Sequence, residues 1–247
     1  MKLLLFLIAH LLGDFVVQPY RLSEAKKYHR KSLLLHAFIY TIFVFGVLLI
    51  YGDIVSILVF TSITFLSHYI IDVYRIQYDK TTTNMTKHLG SFLLDQCFHL
   101  VILIIFSYRI SANFNRVGIW LNEQYTAFIP ELGLQRLLQL VFCYLFILSP
   151  TSVLIKHVLN CMFPNHQQIL CDDTDNRVGS LIGKLERGVI LTLGLLNLYS
   201  SIAIVLTAKS IARFRQLENR NFAEKYLVGT LLSLLSALLC LLILKFF

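Results

Sequence analysis

Charge is what this chain has least of. Only 15% of its 247 residues are Asp, Glu, Lys or Arg, against about 25% in a typical soluble domain, which excludes an ordinary water-soluble fold. Cysteine patterning is also missing. The five cysteines (Cys97, Cys143, Cys161, Cys171, Cys240) are odd in number and never spaced as CxxC, which argues against both a disulfide framework and a thiolate zinc site. There is no G-x-S-x-G and no Walker loop, so acyl-enzyme and nucleotide-driven mechanisms lack support. No solenoid repeat, heptad or low-complexity tract appears. The opening apolar run, Leu3 to Ala9, is not followed by an A-x-A site and is interrupted by His10 and Asp14, so we expect a retained helix and not a signal peptide.

What the chain has is oil. It is 57% hydrophobic with a mean hydropathy of +0.70. Apolar runs extend over Ser32 to Tyr51, Ile54 to Ile71, Leu89 to Phe106, Leu137 to Ile155, Val189 to Ala208 and Tyr226 to Phe247. Each approaches the roughly 20 residues that cross a bilayer's hydrocarbon. With the opening segment, these predict an all-α, multi-spanning transmembrane helical bundle of six to seven hydrophobic helices. The formal charge of +8 is then a sign of cytoplasmic loops and of attraction to anionic lipid headgroups; no nucleic acid is expected.

The basic residues set an expected topology. Arg21, Lys26, Lys27, Arg30 and Lys31 follow the first segment, opposed only by Glu24, which puts that loop in the cytoplasm and the N-terminus outside. The YGD link at Tyr51 to Asp53 falls outside, and the loop with Arg75, Lys80 and Lys87 returns inside. Residues 1–115 are expected to form a four-helix membrane domain. Residues 116–247 are expected to form a C-terminal membrane region, with an interfacial segment around Trp120 and Tyr125, a segment broken by Pro150, and two final spans. Lys209, Arg213, Arg215, Arg220 and Lys225 mark a further cytoplasmic loop. Seven full crossings would place it outside, so one segment is expected not to cross, and the Pro150 segment is the candidate.

Against this apolar background stand three His–Asp pairs at i,i+4: His10 with Asp14, His68 with Asp72, and Asp95 with His99, joined by His36. Eight His and eight Asp scattered through 247 residues would give about 0.5 such pairs at helical spacing by chance. In the topology above, the seven residues share one layer toward the cytoplasmic half of the first four helices. Imidazole and carboxylate suit zinc, manganese or iron, and facing helices of a bundle can assemble such a site. A pair at i,i+4 can offer two ligands from one helix face, or one ligand and a group that orients it. Seven candidates allow one ion with supporting groups or two ions. The competing reading is hydrogen-bonded polar pairs that hold helices together.

Other features carry less. Asp172, Asp173 and Asp175 read as a solvated acidic loop sooner than a cation site, and Cys161, His166 and Cys171 lack zinc spacing. The KLER stretch, Lys184 to Arg187, reads as helix-end anchoring. Asn84-Met85-Thr86 fits a glycosylation pattern but falls in an expected cytoplasmic loop.

On the stretches AHLLGDFVVQPYRLSEAK, LLLHAFIYT, SHYIIDVYR and LDQCFHLV, covering roughly Met1 to Ser107, the chain resembles the bacterial integral-membrane family named domain of unknown function 3307. The C-terminal GSLIGKLERGVI, AKSIARF and AEKYLVGTLLS resemble the tail of longer members. The spaced His and Asp are more loosely similar to membrane-bound metal-dependent hydrolases. The resemblance implies a multi-pass protein of the bacterial cytoplasmic membrane and says little about substrate.

The reading that follows is a membrane-embedded metal-dependent hydrolase. His10, Asp14, His36, His68, Asp72, Asp95 and His99 would hold one or two divalent ions, with Asp72 or Asp14 as proton acceptor. Gln18, Gln96 and Arg75 border the site, and Arg75 could meet a phosphate or carboxylate. Its depth suggests an amphipathic substrate such as a lipid phosphoester. The alternatives are a metal-ion or proton transporter and a non-catalytic, metal-stabilised scaffold or sensor.

Overall fold

The computed structural model describes residues 1–111, 113–129, 131–163 and 173–246, with the side chains of 173–178 left out. Among the described residues there is helix and no strand. In order these are α1 (Lys2–Leu11), a π-helical turn (Leu12–Val16), α2 (Tyr20–Ala25), α3 (Arg30–Tyr51), α4 (Ile54–Thr81), α5 (Met85–Arg109), α6 (Arg116–Phe128), α7 (Leu134–Leu148), α8 (Pro150–Met162), α9 (Asp173–Leu195), α10 (Tyr199–Ala212), α11 (Phe214–Leu217) and α12 (Arg220–Phe246). Five segments are long and apolar enough to cross a membrane: α3, α4, α5, the run Leu134–Met162, and α12. The architecture is the expected all-α membrane bundle.

Two expected spans have a different form. The opening segment is helical only to Val16, with its last turn π-helical, short of the roughly 20 residues a crossing needs. The run Val189 to Ala208 is not one helix. It turns at Asn197, whose φ is 60°, a left-handed conformation that Asn tolerates better than most residues. There α9 ends and α10 doubles back, with Ile190, Ile202 and Ala237 forming a shared core with α12.

The chain divides into two compact units, Met1–Leu145 and Phe146–Phe247. The hydropathy boundary near Asn115 is not where the contacts divide, because α6 is tied to the end of α3. Asn115 caps α6 by accepting from the Gly118 N–H at 3.0 Å, and its side-chain NH2 donates to the carbonyls of Leu49 (2.8 Å) and Gly52 (2.9 Å). Gly118 lies so close to α3 that a Cβ there would be 2.5 Å from the Ile50 carbonyl. The core of this unit runs through Phe6, Tyr40, Val44, Leu48, Leu103 and Phe106, so α1, α3 and α5 share one packed interior. Asn84, in the discounted glycosylation pattern, is the N-cap of α5 and accepts from the Thr86 N–H.

Within the second unit, the break at Pro150 has an identifiable repair. Proline has no N–H to give the carbonyl four residues back, and the Thr151 hydroxyl donates to that Phe146 carbonyl instead, at 2.9 Å. The next carbonyl, Ile147, accepts from Nε of the buried Arg187 at 2.6 Å. The segment Leu134–Met162 remains long enough to cross, so proline alone does not mark it as the one that fails to.

Candidate metal centre

Each helix of the first unit delivers its polar groups for a local reason. His10 ends α1 and Asp14 lies on the π-helical turn. Such a turn inserts an extra residue per turn and re-aims the side chains it carries, a device common at functional sites. Gly13 allows the turn to press against α3: a Cβ would lie 2.9 Å from the Tyr40 ring and 3.0 Å from the Tyr40 Cα. His36 comes from α3, His68 and Asp72 from α4, and Asp95 and His99 from α5. All of them are buried apart from Asp14, whose side chain is only slightly accessible.

The close contacts between side chains run between helices, not within the pairs. Inside the i,i+4 pairs the closest nitrogen-to-oxygen side-chain distances are 3.9 Å for His10–Asp14, 3.9 Å for His68–Asp72 and 3.7 Å for His99–Asp95. Across helices, His36 Nε2 lies 3.1 Å from His68 Nε2 and 3.2 Å from Asp14 Oδ1, and His68 Nε2 lies 3.6 Å from the same oxygen. Ligand atoms on a tetrahedral ion with bonds of about 2.0–2.1 Å stand about 3.4 Å apart. The three atoms therefore trace one face of such a tetrahedron, and Asp14, His36 and His68 form a group that could hold a metal ion. Asp72 Oδ2 is next to it, 3.5 Å from His36 Nε2, but is engaged by Lys26 Nζ at 2.9 Å.

Gln96 fixes the orientation of the His10 ring. Its NH2 donates to Asp14 Oδ2 (3.3 Å) and Asp95 Oδ2 (2.9 Å), since ionised carboxylates only accept. Its carbonyl oxygen therefore accepts from His10 Nε2 at 3.0 Å. That leaves the lone pair of His10 on Nδ1, where the Tyr40 hydroxyl, 3.3 Å away, donates. Both ring nitrogens of His10 are thus occupied, and His10 braces the centre from outside the ligand triangle. His99 is oriented in the opposite sense. Its Nδ1–H donates to the Asp95 backbone carbonyl at 2.8 Å, and its Nε2, buried, has no partner among the described residues. The ring lies 4.4 Å from that of His68. Asp95 Oδ1, His36 Nδ1 and His68 Nδ1 are likewise buried and unpartnered.

Countercharge is unevenly supplied. Asp72 has Lys26, and Asp95 has Arg75 Nη1 at 2.8 Å. Asp14 has only imidazoles and the neutral Gln96 amide around its carboxylate, and no Lys or Arg among the described residues reaches it. Arg75, expected to await a substrate anion, is instead bound to Asp95, reaches toward Asp79 and lies over the Phe92 ring. Two contributors escape a reading by motif. Lys26 looks like one more topology-setting charge, yet it reaches inward to Asp72 and to Gln18, whose carbonyl accepts from it at 3.1 Å while its NH2 donates to the Asp14 carbonyl. Tyr40 carries no motif, but stacks on His68 with ring centroids 3.9 Å apart. A signal for Tyr40 exists in hindsight: it follows His36 at i+4.

Of the other sequence candidates, Asp172, His166 and Cys171 lie outside the described residues, as do the side chains of Asp173 and Asp175. Cys97 is an exposed free thiol.

A family described as "Protein of unknown function (DUF3307)" matches residues 2–128, a stretch that contains every residue of the centre. No curated protein and no solved structure matches the chain.

Proposed function

The chain belongs to the DUF3307 family, and we propose that its N-terminal unit is a metal-dependent hydrolase working within the membrane, on an amphipathic substrate such as a lipid phosphoester. The observation that carries the reading is Asp14: a carboxylate shielded from water, aimed with two imidazole nitrogens at one point, and lacking a cationic side chain. An uncompensated buried charge costs several kcal/mol, and a divalent ion at that point would supply the balance.

Asp14, His36 and His68 would be the protein ligands. Three protein ligands with a further position open to water is the arrangement of catalytic zinc sites, where the ion acts as Lewis acid and lowers the pKa of its water to about 7. The remaining roles follow from this chain's own contacts. Asp72 would accept a proton, and Lys26 keeps its carboxylate oriented. Gln96 and His10 keep Asp14 turned toward the imidazoles. His99 Nε2, on the ring beside His68, offers a second acceptor. Zinc, manganese and iron all suit the donor set.

The test is elemental analysis of the purified full-length protein beside His36→Ala, His68→Ala and Gly46→Ala, the last a position where an added Cβ meets nothing within 4 Å. The reading expects close to one equivalent of divalent metal in wild type and in Gly46→Ala, and loss of most of it in the histidine variants. Metal-free wild type, or variants that keep their metal, would overturn it. If metal is bound but phosphoester lipids stay intact while proteoliposomes pass ions, the same centre serves transport.

A further inference from the structure

The second unit contains its own buried charged cluster, assigned to nothing by the reading above. Glu186 and Arg187 of α9 are 6% and 3% exposed, so the charged second half of the KLER stretch turns inward and does not serve as surface anchoring. Each nitrogen of Arg187 donates to a neutral acceptor: the Ile147 carbonyl, Ser233 Oγ at 3.2 Å and Ser152 Oγ. Lys209 of α10 pairs with Glu186 Oε2, donates to Thr230 Oγ1 at 3.1 Å and lies 5.2 Å from the centre of the Tyr226 ring. Two polar atoms are left over. Glu186 Oε1 and the Tyr226 hydroxyl are buried without a hydrogen-bond partner among the described residues. Buried polar atoms are rarely left unpaired in folded proteins.

The chemistry narrows what could complete this cluster. One carboxylate faces two cations, so the cluster has a surplus positive charge and favours an anion. Glu186 Oε1 accepts only and asks for a hydrogen-bond donor. An anion that also donates answers both: inorganic phosphate does so through its P–OH groups, and a phosphodiester does so when its headgroup bears free hydroxyls. Arg213, half-buried over the Phe222 ring, and the exposed Arg215 and Arg220 add positive charge in the adjoining connection. The exposed Ile211, Phe214, Leu227 and Leu231 lie on the flanking helices, where acyl chains could run. We propose that the α9–α10–α12 cluster is a binding site for an anionic phospholipid whose headgroup carries hydroxyls, of the phosphoglycerol type. The phosphate would be met by Lys209 and Arg213, and the hydroxyls by Glu186 Oε1 and Tyr226. The proposal is independent of the metal centre.

Phosphatidylglycerol and phosphatidylmethanol carry the same charge, but only the first has free headgroup hydroxyls. Full-length protein is extracted from phosphatidylcholine vesicles doped equally with both lipids, and the co-retained lipid is quantified. The site should retain phosphatidylglycerol about tenfold over phosphatidylmethanol, the effect of a hydrogen bond to a charged acceptor. Tyr226→Phe, which keeps the ring, should shrink that preference, and Lys209→Met should reduce retention of both anionic lipids. Equal retention of the two would overturn the proposal, leaving only charge attraction at the exposed arginines. So would an undiminished preference in Tyr226→Phe, or displacement of the lipid by free glycerol phosphate, which would name a soluble ligand.

Discussion

At the scale of single residues, the centre depends on three atoms that meet and on others that hold them there. Gln96 joins His10, Asp14 and Asp95 through one amide. Gln96→Leu should therefore weaken metal binding by about 10–100-fold, the usual cost of losing a group that orients ligands, as titration with a competing chelator would measure. Lys26→Met leaves Asp72 buried without its partner, a change that costs about 3–5 kcal/mol when a pair is broken from one side. We expect a clear fall in thermal stability in chelator, partly restored by zinc, because the ion then compensates Asp72 as well as Asp14; a Tm unchanged in chelator would contradict the pairing. The seven His and Asp residues were legible as a set, since ionisable groups are conspicuous in apolar helices. Their partnerships were not. Spacing of i,i+4 shows that two residues share a face, whereas the bonds cross between helices, and no one-dimensional pattern records which faces meet. Lys26 illustrates the same limit: a basic residue in a basic loop reads as topology until the fold turns it inward.

At the scale of elements, close approach at one glycine positions a ligand. Gly13→Ala would press a methyl against the Tyr40 backbone and push the π-helical turn off α3, taking Asp14 with it. We expect metal content to fall by at least half although no ligand is removed, while Gly46→Ala, which meets nothing within 4 Å, leaves it unchanged. In the second unit, Arg187→Met strips the Ile147 carbonyl of its donor at the Pro150 break. The expected loss is about 3 kcal/mol or less, the range for a buried acceptor left unsatisfied, seen as faster proteolysis of 146–247 than of 1–145. Helix type could be read from apolar runs, as could the ends of α3 and the start of α4, while charged or polar turns such as Asp72 to Thr81 extend the helices beyond the runs. The Asn197 turn is harder to read, because Val189 to Ala208 is uncharged and long enough to pass for one helix, although Asn197, Ser200 and Ser201 in its middle are turn-forming residues.

At the scale of the whole molecule, that turn removes a conflict in the distribution of basic residues. If Val189 to Ala208 is a reversal and not a single crossing, the loops 21–31, 75–87 and 209–225 can all face one side without excluding the Pro150 segment. Single cysteines placed at Arg21, Lys87 and Arg215 in an otherwise cysteine-free chain should then label from the same face of the membrane, and one at Asp53 from the other. Labelling of the Arg215 position with Asp53 would return the parity problem. The account as a whole rests on an ion held by Asp14, His36 and His68, and X-ray absorption at the metal edge of the reconstituted full-length protein tests it most directly. The account predicts nitrogen and oxygen neighbours at about 2.0–2.2 Å with imidazole scattering and no sulfur, lost in the His36→Ala, His68→Ala double variant. A spectrum without imidazole, or one that the double variant leaves unchanged, would contradict it.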